Sequence, residues 1–83
     1  MQHLLKCKNM DRKEIIEIVA ENIRIERLRK RLTQEKLSEM ADISQKYLNL
    51  IENKKSVPSI VVVACICSAL KIDLNTILDL GKN

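Results

Sequence analysis

The first third of the chain has a hydrophobic pattern that predicts one long amphipathic helix. Ile15, Val19 and Ile23 recur at four-residue steps. A second, neighbouring row on the same helix consists of Ile18, Ile25, Leu28 and Leu32. Asp11 and Glu14 have the spacing of a capping box, which marks a helix start. The pattern therefore predicts a helix of about 20 residues that begins at Asp11 and turns one apolar stripe inward.

Two short helices are predicted next, from about Thr33 to Glu52. Thr33 and Ser44 are good N-cap residues, and Asp42 between them tolerates left-handed backbone geometry. The residues predicted to face inward are Leu37, Met40, Ala41, Tyr47, Leu48 and Ile51. Those predicted to face outward on the second of these helices are Gln45, Lys46 and Asn49. This arrangement is a helix-turn-helix.

The segment from Ser59 to Leu70 is ambiguous by period. Its β-branched run, residues 60–63, is typical of a buried strand. Its length without a break favours a helix, and a lone strand would have no partner. A last short helix, capped by Asp73 or Asn75 and ended by Gly81, carries Leu74, Ile77, Leu78 and Leu80. We therefore predict an all-α chain with five helices, in which residues 1–10 are a flexible tail and residues 11–81 a single domain.

Composition narrows the class of function. Eighty-three residues form one domain at most, with a modest core. Fifteen basic residues against eleven acidic ones give a net charge of +4, which is compatible with a phosphate-binding face. Cations cluster between Arg24 and Lys36 and at Lys54-Lys55, although each cluster, taken alone, is better interpreted as a solvated surface. His3 is the only histidine, and no nucleophile or phosphate loop accompanies it, so we predict neither an enzyme nor a cofactor.

The three cysteines predict no metal or redox site. Cys65 and Cys67 are separated by one residue instead of the usual two, so we interpret them as small apolar packing residues. Together with Cys7 they make an odd number without a signal-peptide pattern, which fits a reducing cytoplasm. The longest apolar run, residues 60–69, is too short to span a bilayer. These features predict a cytoplasmic protein that does not enter membranes.

The segment from Gln34 to Asn53 has the spacing that two short helices need to cross through a tight turn. Its apolar positions are Leu37, Ala41, Ile43, Leu48 and Ile51, and Ser38 is small where the helices touch. At this point the chain resembles the Cro/repressor-type (XRE-like) helix-turn-helix domains. The resemblance covers about residues 14–80 and includes Asn22-Ile23-Arg24, Leu32-Thr33-Gln34-Glu35-Lys36-Leu37-Ser38, Ile43-Ser44, Tyr47-Leu48, Ile51-Glu52-Asn53, Pro58-Ser59, and Ala69-Leu70 to Leu78. It implies a five-helix lambda-repressor-like domain with an extended N-terminal helix.

The resemblance also implies roles for individual residues on double-stranded DNA. The residues that would read bases in the major groove are Ser44, Gln45, Lys46 and Asn49. The residues that would contact the DNA backbone are Gln34, Asn53, Lys54 and Lys55. Gln and Asn side chains can form paired hydrogen bonds with adenine, and Lys can donate to the acceptors of guanine. Contacts with phosphates would fix the position of the protein along the DNA.

Some positions in this chain carry a structural role in the family or depart from its pattern. Arg27 and Glu52 match a buried ion pair, with two exposed charges as the alternative. Asp42 and Lys54 both stand where the family most often has glycine, which puts the turn geometry in question.

The helix after Pro58 departs further. The family usually has polar residues at the positions of Val61, Val62, Cys65 and Ser68, and three of these are apolar here. We expect the inward-facing residues to be Ile60, Val63, Ala64, Ile66, Cys67 and Leu70. An apolar face that is left over usually meets a partner. We therefore predict a homodimer through Val61, Val62 and Cys65, together with Leu80. The alternative is that an N-terminal extension buries this face.

The leading hypothesis is a sequence-specific transcriptional regulator of the repressor, autoregulator or controller type. As a dimer it would bind a palindromic operator. The alternative hypothesis is an antitoxin-like interaction module that binds a protein partner through the apolar face of the fourth helix.

Overall fold

The computed structural model describes residues 10–80, and within this range the chain forms five α-helices and no strand. The helices are α1 Arg12–Arg29, α2 Gln34–Ala41, α3 Gln45–Glu52, α4 Ile60–Leu70 and α5 Leu74–Ile77. The predicted all-α fold is confirmed, and the β-branched run of residues 60–63 is helical. None of the helices in the described range combines the length and apolar character that a bilayer span requires.

Side-chain caps explain where the helices begin. Asp11 accepts from the backbone N–H of Glu14 at 2.8 Å, and Glu14 accepts from that of Asp11 at 3.3 Å, which completes the predicted capping box. Thr33, Ser44 and Ser59 each accept from the third residue that follows, at 3.0 to 3.1 Å. The Ser59 cap lies at the start of the segment that is ambiguous by period. It satisfies a backbone N–H in the first turn of α4, which is a need of helices and not of strands.

The four longer helices all end with the same type of C-terminal cap. A residue just beyond each helix adopts the left-handed conformation, at φ values from 57 to 65°. These residues are Arg31, Asp42, Lys54 and Lys71. In each case the next backbone N–H bonds to the carbonyl five residues back, as in the Schellman motif. Left-handed geometry costs a residue with a Cβ about 1–2 kcal/mol, so this chain uses a strained residue where many helices use glycine.

One aliphatic core lies between the helices. Its fully buried members are Ile23, Leu37, Leu48, Ile51, Ile66, Leu70 and Ile77. Helix α2 packs against α3 and α4, while α1 packs across α3, α4 and α5. Asn22 is buried on α1, and its Nδ2 donates to the backbone oxygen of Ile77 at 2.8 Å. That bond holds the last helix against the first.

Several residues expected to face the core do not. Met40 is exposed, since the buried side of α2 is centred on Leu37, Ser38 and Ala41. Leu28 is also exposed, because the buried side of α1 is centred on Val19, Asn22, Ile23 and Glu26, and Leu28 lies on the other side of the helix. The inner side of an amphipathic helix is therefore set by its neighbours and is not defined by apolar residues alone.

The expected inward set of α4 is wrong at two positions. Val63, Ile66, Cys67 and Leu70 are buried, whereas Ile60 and Ala64 are exposed. Successive residues of a helix are about 100° apart, so Ala64 is rotated well away from the arc centred on Val63 and Leu70. Ile60 belongs nearer that arc, but it lies in the first turn, where it lines an open groove.

The C-terminal helix is shorter than predicted. Helix α5 ends at Ile77, and Leu74 and Leu78 are exposed. Asp73 is the N-cap position, although its side chain makes no cap hydrogen bond. The predicted tail, except Met10, and the predicted cap Gly81 lie outside the described residues.

Candidate nucleic-acid interface

Helices α2 and α3 are joined by a three-residue turn. Asp42 is left-handed at φ 59° and ψ 44°, and the N–H of Ile43 donates to the carbonyl of Ser38 at 3.0 Å. Ser44 then caps α3. Ser38 is buried, and its hydroxyl donates to the carbonyl of Glu35 at 2.8 Å. A larger residue than Ser38 would enter the space where the two helices meet, so the turn depends on this position being small.

The outer surface of α3 is polar and continuous. Ser44, Gln45, Lys46 and Asn49 are all exposed, whereas Leu48 and Ile51 of the same helix are buried. The four residues expected to read bases therefore lie together on the accessible side of one helix. The Ser44 oxygen already accepts from the N–H of Tyr47, which leaves its hydroxyl proton to donate.

The loop after α3 places the other expected contact residues beside this surface. Asn53, Lys54 and Lys55 are exposed, and Nδ2 of Asn53 donates to the backbone oxygen of Asn49 at 2.9 Å. Lys54 is left-handed at φ 65°. The loop therefore extends directly from the end of α3.

Two cations that the sequence pattern did not single out lie next to that loop. Arg12 and Lys13, at the start of α1, line an open crevice of about 370 Å³ together with Lys54 and Glu17. Their distance from Lys54 along the chain hides this proximity. Only the packing of α1 beside the end of α3 reveals it.

Four of the six cations between Arg24 and Lys36 pair with carboxylates of the same chain. Arg24 pairs with Glu21 at 3.3 Å, Arg29 with Glu26 at 3.2 Å and Lys36 with Glu39 at 3.2 Å. By contrast, over residues 10–80 no ion pair involves Lys46, Lys54 or Lys55. The lysines of α3 and its following loop therefore keep their charge available to a phosphate, as do Arg12 and Lys13 beside that loop.

Arg27 and Glu52 form a buried, two-pronged ion pair between α1 and α3. Arg27 Nε donates to Glu52 Oε2 at 2.8 Å, and Nη2 donates to Oε1 at 3.0 Å. Their side chains are 11% and 3% exposed. Arg27 Nη1 also donates to the backbone oxygen of Leu32 at 2.8 Å. The pair expected from the family resemblance is thus present, and it joins α3 to α1 and to the turn before α2.

Gln34, expected to contact the DNA backbone, is half-buried and bonded within the protein. Its Nε2 donates to Glu52 Oε1 at 3.0 Å, and its Oε1 accepts from Asn49 Nδ2 at 3.1 Å. A continuous chain of hydrogen bonds therefore connects Arg27, through Glu52 and Gln34, to the exposed Asn49. The link from Gln34 to Asn49 has no signal in the sequence, because it depends on how α2 crosses α3.

The outer face of α4 contrasts with that of α3. Val61 is 67% and Ile60 63% exposed, and Ala64 and Cys65 are exposed beside them. Val62 is half-buried and packs against the core, and Leu80 is half-buried. An apolar groove of about 230 Å³ adjoins Ile60. The groove is lined by Ile15, Ile16, Val19, Ala20, Ile51, Ser56, Val57, Pro58, Ile60, Val63 and Leu78.

The cysteines differ in environment. Cys67 is buried, and desolvation, with a smaller effect of the Asp73 carboxylate, raises the pKa of its thiol. Cys65 is exposed, so the interpretation as a packing residue is right for Cys67 and wrong for Cys65. Both are free thiols. In the described part of the chain, no group of three histidine, cysteine or carboxylate side chains is arranged to hold a metal ion.

Comparison with known proteins matches residues 20–81 to the helix-turn-helix domain family. The chain belongs to this family. The match confirms the predicted XRE-like resemblance and covers the helix-turn-helix with the helices around it. The DNA-binding members of this motif place the second helix in the major groove. The domain is therefore that of a DNA-binding regulator, and α3 is the second helix of its helix-turn-helix.

A solved structure supports the fold. The crystal structure of the hypothetical transcription factor NHTF from Neisseria is similar with a TM-score of 0.76 and 22% sequence identity. The similarity covers 83% of this chain and 79% of that one. No curated protein matches the sequence. The all-α arrangement of the five described helices is thus shared with a solved structure at low sequence identity.

Proposed function

We propose that this helix-turn-helix domain is a sequence-specific transcriptional regulator that acts as a homodimer on a palindromic operator. The observation that carries this proposal is the outer face of α3, where four polar residues are exposed together beside a loop with unpaired lysines. Polar side chains on this face would contact base edges, and the cations beside them would contact phosphates of the DNA backbone. The protein would act in the cytoplasm, where it meets chromosomal or phage DNA.

In this proposal the surfaces have separate tasks. Gln45, Lys46, Ser44 and Asn49 read bases, and Asn53, Lys54 and Lys55 hold the backbone. Arg12 and Lys13 share a crevice with Lys54, so they extend the backbone contact to the start of α1. Neutralising phosphates releases counterions, and binding should therefore weaken steeply as salt increases.

The second copy is assigned to the outer face of α4. No residue from Ile60 to Leu70 is charged, and among residues 10–80 Val61 and Ile60 are the most exposed of the large apolar side chains. An isologous contact sets this apolar surface against itself. Two recognition helices related by such an axis would read half-sites about 34 Å apart. Repression follows if the operator overlaps a promoter.

Selection of bound sequences from random duplex DNA, at a stated salt concentration, tests DNA reading. A palindromic consensus is expected, and Gln45→Ala should relax it at one position of each half-site. If Gln45→Ala leaves the consensus intact, the reading face is assigned wrongly. If no sequence is enriched, the regulator proposal fails.

Sedimentation of the wild-type protein at tens of micromolar tests the dimer. A monomer would contradict the dimer and favour the second candidate, an antitoxin-like module. The groove beside Ile60 favours that candidate, since an apolar groove suits a helix from another protein. The two candidates differ in whether the α4 face is filled by a copy of the same chain.

A further inference from the structure

The hydrogen-bond chain under α3 has a fixed direction. It starts at Glu52, whose carboxylate is buried and held by Arg27 through two bonds. An ionised carboxylate only accepts hydrogen bonds. Gln34 must therefore turn its NH2 group, and not its carbonyl, towards Glu52, as it does at 3.0 Å.

The direction passes from Gln34 to Asn49. With its NH2 group on Glu52, Gln34 presents Oε1 to α3, and this oxygen can only accept. Asn49 must then turn its own NH2 group inward, and the Nδ2 to Oε1 distance is 3.1 Å. Rotating either amide by 180° would set two acceptors or two donors against each other. The carboxylate of Glu52 therefore decides the amide orientation of Asn49, to which it is connected through two hydrogen bonds.

The outer edge of Asn49 follows from this orientation. Among the described residues, Oδ1 and the second N–H of Nδ2 have no protein partner. The backbone of Asn49 is held as well, because its carbonyl accepts from Asn53 Nδ2 at 2.9 Å. Asn49 is thus an exposed side chain on a rigid helix that turns a carbonyl oxygen outward.

We propose that Gln34 and Glu52 are positioning residues that make Asn49 read a base with an exocyclic amino group. In the major groove, adenine N6 and cytosine N4 are donors, whereas guanine and thymine present acceptors at the corresponding positions. Adenine fits best, because its N7 also accepts the remaining N–H of Asn49. This inference rests on the proposed function and adds the class of base that one position reads.

Binding to duplexes that carry each of the four base pairs at every position of the selected half-site tests the inference. The wild type should prefer adenine or cytosine at one position by about tenfold or more, and Asn49→Ala should remove the preference there. Gln34→Ala frees the Asn49 amide to rotate, so the preference should fall to about two- to threefold. Lys54→Ala is the matched control, which should weaken all four duplexes alike.

Gln34→Lys gives the sharper readout. An ammonium group only donates, so it can bond both Glu52 and the Asn49 carbonyl oxygen. Asn49 would then turn its NH2 group outward, and the preference should move towards guanine or thymine. A residue that merely contacts phosphate, or merely stabilises the fold, would change affinity without changing the preferred base. An unchanged preference in both Gln34→Ala and Gln34→Lys overturns the inference.

A measurement without DNA separates the two proposals. Hydrogen exchange of the Asn49 side-chain amide, followed by NMR in the free protein, should be slower in the wild type than in Gln34→Ala. Equal exchange overturns the hydrogen-bond chain even if DNA binding is sequence-specific. If the wild type shows slowed exchange but prefers no DNA sequence, the proposed function fails and base reading by Asn49 fails with it, although the chain itself stands.

Discussion

The outer faces of α3 and α4 differ in what lies beneath them. Under the polar face of α3 runs a line of hydrogen bonds that ends at a buried ion pair. Under the apolar face of α4 lies only the aliphatic core, reached through Val63, Ile66 and Leu70. Hydrogen bonds fix the direction in which a side chain points, whereas apolar packing fixes only its volume.

This difference suits the two proposed tasks. A surface that reads bases needs donors and acceptors in set positions before DNA arrives, because ordering them on binding would cost affinity. A surface that meets a second copy needs apolar area and few charges.

Removing the buried cation under α3 should have the largest effect. Arg27→Ala leaves the Glu52 carboxylate buried without its charge partner, which should lower the free energy of unfolding by about 3–5 kcal/mol. Arg24→Ala is the matched control, because it breaks the exposed pair with Glu21 and should cost less than about 1 kcal/mol. Urea denaturation measures both. Similar losses in the two variants would mean that the ion pair does not anchor α3.

A charge on the face of α4 should separate the dimer without unfolding the chain. Val61→Glu would bury two carboxylates at the proposed two-fold contact and should raise the dimer dissociation constant by about 30-fold or more. The monomer should keep its stability within about 0.5 kcal/mol, because Val61 is exposed. Leu28→Glu, at an exposed apolar residue of α1, is the control. Sedimentation equilibrium that shows equal dissociation constants for the two variants contradicts the α4 interface.

Loss of a lysine from the loop after α3 should change the salt dependence of DNA binding. Lys54→Ala and Lys55→Ala should each reduce the slope of log K against log salt by about 0.9, the value for one phosphate contact. Lys71→Ala removes a cation at the end of α4 and should leave the slope unchanged. Fluorescence anisotropy titrations at several salt concentrations measure the three slopes. A reduced slope for Lys71→Ala would mean that DNA also contacts the α4 side.

Glycine at the left-handed residue after α3 or after α4 should stabilise the fold, but only the change after α3 should affect DNA binding. Lys71→Gly and Lys54→Gly relieve left-handed geometry at φ 58° and 65°, and each should raise stability by up to about 1 kcal/mol. Only Lys54→Gly should also weaken DNA binding. Thermal unfolding together with anisotropy checks this. A loss of stability in either variant would show that the lysine side chain contributes more than its backbone strain costs.

The smallest effect concerns pH. Burial raises the pKa of the Cys67 thiol above its ordinary value of 9.0, so the folded chain keeps a proton that the unfolded chain loses. The resulting stability is fully present below the unfolded pKa and is lost as pH rises through the folded pKa. Denaturation between about pH 8 and pH 10 should therefore show a steeper loss for the wild type than for Cys67→Ala. Parallel slopes would mean that Cys67 does not titrate differently on folding.

Local patterns in the sequence determined where the helices begin and which of them form the helix-turn-helix. The Asp11, Thr33 and Ser44 caps act within a few residues, so their effect is readable from spacing alone. The exposed positions on α3 also follow from its period of 3.6 residues, because the buried Leu48 and Ile51 leave only one side outward. The family resemblance supplied the pairing of Arg27 with Glu52.

The tertiary structure alone decided how the helix faces meet. Ile60 and Ala64 are apolar and yet exposed, because the packing of α2, and to a lesser extent of α1, against α4 sets which arc is covered. Arg12 lies near Lys54 only because α1 packs beside the end of α3. The same holds for Gln34, whose amide direction is imposed by a carboxylate from another helix. The spacing of residues within a helix specifies its faces and its caps, because these depend on near neighbours in the chain. The orientation of hydrogen-bonding groups and the burial of each face depend on contacts between segments that are distant in the chain.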